Sequence, residues 1–160
     1  MVDELSGDFG ACVGIVLGAS EGVFDATFAV RTRDGMVWET QKIFEDDNLL
    51  VNPTAVRIPV VYGHSEAVHI ETREKITAID ARNLLEKAEG VIVIDERKDG
   101  GYATPFVEAT NTDATYVSRI REDISHDKGL NLWVVSDNIR KGAALNSIQI
   151  AEILIRDYIA

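Results

Sequence analysis

A few residues of this sequence are of a type and spacing that could act on a small anionic substrate. Glu39 and Lys42 lie three apart, which on a helix puts a carboxylate and an ammonium on one side. They read either as a solvated ion pair or as a pair turned toward a ligand. Arg57 interrupts an apolar, β-branched run, and a guanidinium there requires an anionic partner, either a structural carboxylate or a ligand carboxylate. His64 follows Gly63 at a strand junction, where an imidazole could move a proton near neutral pH or simply pack. On one unbroken strand Arg57 and His64 would face opposite sides, so a shared pocket requires a bend near Pro59 or Gly63. Cys12 sits between Ala11 and Val13 and reads as a small buried hydrophobe rather than a nucleophile. His69 and His126 have no supporting pattern and read as structural or exposed.

These residues need a scaffold of alternating strands and helices. Val13–Leu17 is apolar, Gly18–Gly22 is turn-like, and Phe24, Ala26, Phe28 and Val30 alternate with polar neighbours, so the N-terminus predicts a β-hairpin. No helical pattern follows the Gly18–Gly22 stretch, which therefore reads as a turn rather than a phosphate cradle. Asp34 is placed to cap a helix from Met36 to about Glu45, and Asp46 to Pro53 reads as a loop. Strands are expected over 56–62, 67–72, 91–94, 115–121 and 130–135. Thr77 with Asp80 three residues on marks a helix start, and Gly90 suits the left-handed turn after it. The paired glycines of Glu96–Gly101 mark a flexible charged loop. Apolar residues from Ala144 to Tyr158 recur at helical spacing, so a long C-terminal helix is expected. The fold class is α+β: a mixed β-sheet with helices mainly on one face, a long C-terminal helix and an N-terminal β-hairpin.

The whole composition bounds the partners. The 160 residues are 46% hydrophobic and 27% charged, which suits one globular domain. Twenty-seven acidic against 16 basic residues give a formal net charge of -11, opposing nonspecific binding to nucleic acid and to anionic membranes. One cysteine excludes an intrachain disulfide and a four-thiolate zinc site, and no metal site is expected. No secretory start and no apolar run near 18 residues is present, so a cytoplasmic placement is expected.

Four blocks carry a resemblance: Val37-Trp38-Glu39-Thr40-Gln41-Lys42-Ile43, Val51-Asn52-Pro53-Thr54, the run from Arg57 through Gly63-His64-Ser65-Glu66 to Val68, and the run from Asn131 through Ser136-Asp137-Asn138-Ile139-Arg140-Lys141 to Ala144. In this order they resemble the C-terminal, substrate-binding and dimerisation part of a bacterial aspartate-β-semialdehyde dehydrogenase over residues 37–160. The resemblance implies an enzyme that reduces L-aspartyl 4-phosphate with NADPH, through a cysteine thioester, to L-aspartate 4-semialdehyde and phosphate. It implies His64 as general acid/base, Arg57 as the clamp on the substrate carboxylate and Glu39 as the contact to the substrate amino group. Lys42 would meet phosphate and Asn138 the nicotinamide. It also implies a homodimer and an aspartyl-type or phosphate ligand. The family's dinucleotide-binding domain and its Asn-Cys nucleophile block have no counterpart here, and Gly10-Ala11-Cys12-Val13 does not fit that block. Residues 1–36 are thus expected to be a non-family hairpin replacing the N-terminal region, joined to 37–160 in one folded unit. A truncated domain, inactive alone and binding NADP poorly, is the first expectation; a noncatalytic homodimerisation or binding module is the alternative.

Overall fold

The computed structural model describes residues 9–19, 26–58 and 62–159, with side chains over 34–55 and 62–159. Six strands form one sheet: β1 (Phe9–Ala19), β2 (Leu50–Ile58), β3 (His64–Thr72), β4 (Val91–Val93), β5 (Thr115–Glu122) and β6 (Gly129–Ser136). Their order is β2-β1-β3-β6-β5-β4. The pairs β1·β2 and β4·β5 are parallel and the others antiparallel, so the sheet is mixed, as expected of an α+β fold. The helices are α1 (Ala26–Phe44), α2 (Ala78–Leu85) and α3 (Leu145–Leu154).

Alternation along β5 and β6 builds a core on each side of the sheet. Val117, Ile120 and Leu130 point to one face and meet Ala81 of α2, with Leu85, Leu132 and Val134 around them. Tyr116 and Val135 point to the other, where Ala103 and Ala109 from the segment after β4 cover them beside Trp133. Fully burying a side chain such as Ile120 or Leu130 contributes about 2 kcal/mol. The indole Nε1 of Trp133 donates to the Ala103 carbonyl at 2.9 Å, pinning that cover.

Thr77 caps α2 as expected: its hydroxyl accepts from the Asp80 N–H at 3.1 Å and donates to the Asp80 carboxylate at 2.6 Å. From α2, Arg82 reaches the buried Asp95, bonding its carbonyl at 2.6 Å and its carboxylate at 2.7 Å. The other Asp95 carboxylate oxygen accepts the Arg119 N–H at 2.8 Å, where β5 bulges and Arg119 takes a φ of 53°. A left-handed arginine is strained, and the bond to a buried carboxylate offsets that cost.

Two expectations are corrected. The N-terminal hairpin is replaced by a parallel β1–α1–β2 crossover, because residues 26–30 lie in α1 and β1 takes its antiparallel partner from β3. Phe24 and Phe28, like Ala26 and Val30, are four apart as well as alternating, so the run fits both periods. Phe24 itself and the turn at Ser20–Gly22 lie outside the described residues. The helix also runs through Asp34-Gly35, which reads as a break in sequence. The second correction is at the predicted loop, where β2 already begins at Leu50. Pro53 within it is tolerated because β2 is an edge strand. The end of the predicted 56–62 strand, at Pro59–Val61, lies outside the described residues.

At the C-terminus the expected long helix is present as α3 with π-type turns before it (Arg140–Ala144) and after it (Ile155–Ile159). Its isoleucines Ile148, Ile150, Ile153 and Ile155, with Leu154 and Tyr158, are exposed. A further π-type turn, Pro105–Ala109, was not foreseen; Thr104 caps it by accepting the Val107 N–H at 3.2 Å.

Candidate functional site

His64 opens β3, and what fixes it begins one residue earlier. Gly63 has a φ of 99°, a region that favours glycine, and it lies against Pro105, whose Cβ would be 2.4 Å from any Cβ placed there. Its N–H donates to Oδ1 of Asn138 at 2.8 Å. That bond spans 75 residues of sequence, and the sheet explains it. β3 and β6 are antiparallel neighbours with His64 opposite Ser136, so the chain leaving β6 passes beside the chain entering β3.

The His64 ring is held as well. Two residues on, and so on the same face of β3, Glu66 places Oε1 2.9 Å from Nε2 of His64. A carboxylate only accepts, so Nε2 donates in this bond and Nδ1 is the ring nitrogen outside it. Both side chains are about one-third exposed, 33% and 36%, so the pair orients the ring more than it stabilises the fold.

Behind this edge lies Asp137, 2% exposed. Its Oδ1 accepts the N–H groups of Ile139 at 2.8 Å and Arg140 at 2.9 Å, and its Oδ2 accepts that of Asn111 at 2.8 Å. Burial alone would raise its pKa. The N–H bonds from Arg140, Asn111 and Ile139, with the charge of Arg140, outweigh burial and hold it below the ordinary carboxylate value.

The remaining candidates come from other elements. Arg57 belongs to β2, and the register places Gly18 of β1 opposite both Arg57 and His64. The two backbones are therefore level in the sheet and two strand spacings, about 10 Å, apart. They lie on different strands with β1 between them, so their relative placement is set by the sheet and not by a bend within one strand. The Arg57 side chain lies outside the described residues. Glu39 and Lys42 lie in the last two turns of α1, which packs along β2. Lys42 Nζ stands 5.0 Å from the Trp38 ring centre, and among the described residues it forms no ion pair with Glu39. The solvated Glu39–Lys42 pair is thus replaced by a cation–π contact.

Among the described residues the structure thus joins Gly63, the residue before His64, to Asn138, while Glu39 and Lys42 arrive on α1 and Arg57 on β2. Sequence reasoning missed Glu66 and Asp137. The His-x-Glu spacing on a strand could have flagged Glu66, whereas no local signal links Asp137 to Asn111. The other histidines are structural: His69 lies between Asp123 at 3.2 Å and Glu71 at 3.4 Å, and His126 Nδ1 accepts the Lys128 N–H at 3.3 Å. Cys12 sits in β1 opposite Val51 and Ile70; its side chain lies outside the described residues. No group of three metal-ligating side chains occurs among the described residues.

A family model described as the semialdehyde dehydrogenase dimerisation domain matches residues 20–141. The chain belongs to that family. Within it, an aspartate-semialdehyde dehydrogenase of Shewanella violacea is 61% identical over 123 residues, 77% of this chain and 36% of the relative. The chain therefore spans about a third of the length of such curated relatives. A solved aspartate semialdehyde dehydrogenase II from Vibrio cholerae, described as complexed with ASA, covers 94% of this chain and 56% of its own at a TM-score of 0.83 and 35% identity. A Candida albicans aspartate semialdehyde dehydrogenase solved with NADP is 24% identical, covers 96% of this chain and 52% of its own at a TM-score of 0.76, and shares the fold. The match to the dimerisation-domain family starts at residue 20, so it includes all of α1, the helix carrying Glu39 and Lys42.

Proposed function

We propose that this chain is the substrate-binding and dimerisation part of an aspartate-semialdehyde dehydrogenase, acting on the path from L-aspartyl 4-phosphate to L-aspartate 4-semialdehyde in amino-acid biosynthesis. The observation that supports the reading is the Gly63 N–H bond to Asn138, which links the third block of the resemblance, just before His64, to the fourth. In this reading His64, oriented by Glu66, moves the proton, and Arg57 holds the substrate carboxylate through a planar two-point contact. Lys42 meets phosphate as a point charge and Glu39 meets the substrate amino group. Lys42 Nζ lies 5.0 Å from the Trp38 ring centre, a contact that leaves its positive charge available to an anion.

In the complete enzyme the reduced cofactor, NADPH, would supply the hydride. Asn138 is the side chain assigned to the nicotinamide; its Oδ1 already accepts the Gly63 N–H, so the carboxamide N–H groups are what it would offer for a contact there. One such contact does not make a dinucleotide site, so we assign no reaction step to the cofactor here and propose that this chain binds NADP weakly. Nor does Gly10-Ala11-Cys12-Val13 resemble the family's nucleophile block. Losing a covalent nucleophile costs several orders of magnitude in rate. The account predicts no phosphate-dependent NADP reduction with aspartate semialdehyde when the chain is assayed beside a complete family enzyme. Turnover abolished by Cys12→Ser would overturn it.

The second reading, a noncatalytic homodimerisation or binding module, is supported by the match to a dimerisation domain and by the exposed apolar residues of α3. In both readings residues 1–160 act as one folded unit, with β1 inside the sheet between β2 and β3. The charge of -11 supports a reading without nucleic-acid partners. Among the described residues no helix is long and apolar enough to cross a membrane.

A further inference from the structure

We infer that Asp137 is a positioning residue for His64, acting through Asn138 and Gly63; this rests on the proposed role of His64. Three segments converge at the end of β6. The Asp137 carboxylate binds the N–H of Asn111 on one side and those of Ile139 and Arg140 on the other. It thereby ties the turn after Pro105–Ala109 to the start of the C-terminal helical segment, and the Asp137 carbonyl adds a bond from the Gly142 N–H at 3.1 Å. Asn138 is held between the anchored Asp137 and Ile139, so its backbone has little freedom, and its Oδ1 is presented to Gly63.

The other side of Gly63 is closed by Pro105. Pro105 belongs to the same segment that Asp137 anchors: the Thr110 hydroxyl donates to the Pro105 carbonyl at 2.9 Å, and Asn111 follows it. Asp137 thus sets both jaws on Gly63, the hydrogen-bonding one through Asn138 and the steric one through the 105–111 segment. His64 is the next residue and inherits that placement. A buried carboxylate satisfied by three N–H groups is well suited to this, because no single bond can be broken without leaving buried charge under-solvated.

The test uses the 160-residue chain and nuclear magnetic resonance without any ligand, so its outcome is independent of whether the site binds substrate. In the wild type the amides of Gly63, Asn111, Ile139 and Arg140 are expected to share slow hydrogen exchange. Asp137→Asn, which keeps the shape but can accept through only one oxygen, should shift the 111, 139 and 140 amides. It should also speed Gly63 exchange about fivefold or more and move the His64 ring signals. Asn138→Ala should move Gly63 and His64 in the same way while leaving Asn111 in place. The His69 and His126 rings serve as internal references. The inference is overturned if Asp137→Asn shifts the 111, 139 and 140 amides but leaves Gly63 and His64 unmoved. Should that variant not fold, wild-type Gly63 exchange at open-chain rates, or an Asn138→Ala chain with unchanged His64 signals, would overturn it equally.

Discussion

At the scale of single residues, the site is an arrangement of acceptors. Glu66 accepts from the His64 ring, Asn138 from Gly63, and Asp137 from three backbone amides. Asp137 has a consequence for pH. Its pKa is held below the ordinary value, so the unfolded chain binds this proton more readily than the folded one. The stabilisation is fully present above the unfolded pKa, near pH 4, and is lost as pH falls through the lower folded value. Urea unfolding between pH 6 and pH 2.5 should therefore show the stability gap between the wild type and Asp137→Asn narrowing below about pH 4. A gap constant with pH would mean that the carboxylate charge contributes nothing. These residue-scale links were only partly legible in the sequence. His64, Arg57, Glu39 and Lys42 stand out by type, and Asn138 by resemblance. The Asn138–Gly63 and Asp137–Asn111 bonds join positions far apart in the chain, and no pattern within a window of sequence encodes them.

Elements divide by how local their signals are. The start of α2 was readable because Thr77 and Asp80 are three residues apart and satisfy each other directly. Strands β5 and β6 were readable from alternation and β3 from its apolar, β-branched run, since each packs apolar side chains into one or both cores. The helix α1 was misread because its first residues fit a period of two, and because Asp34-Gly35 looks like a stop. What overrides the stop is the β1–α1–β2 crossover, a parallel connection that requires a helix-length bridge and is invisible until β1 and β2 are paired. Gly35 is then a glycine inside a helix, and a Cβ placed there meets nothing within 4 Å. Gly35→Ala should stabilise the chain by about 0.5–1 kcal/mol, seen as a higher midpoint in thermal or urea unfolding. A lower midpoint would indicate that the helix does not continue through this position.

The whole molecule combines an acidic surface with a large apolar remainder. Ile148, Ile150, Ile153, Leu154, Ile155 and Tyr158 are exposed on the C-terminal helical segment, while the net charge is -11. For a chain that belongs to a dimerisation-domain family, both features bear on self-association. Light scattering near 100 µM should give twice the 17.6 kDa chain mass. Moderate salt should tighten the dimer, because it screens repulsion between two like-charged copies. A monomer at every salt concentration would remove the dimerisation reading.

The rest depends on one proposal, that this chain carries a working half of a substrate site built around His64. Its most direct test is a titration of the isotopically labelled chain with inorganic phosphate and then with aspartate semialdehyde, followed by nuclear magnetic resonance. Saturable shifts are expected at Lys42, Arg57, Gly63 and His64, with His126 and the β4–β5 edge unmoved. Shifts absent from those four residues at millimolar ligand, in a chain whose spectrum shows it folded, would contradict the claim and leave the noncatalytic module as the function.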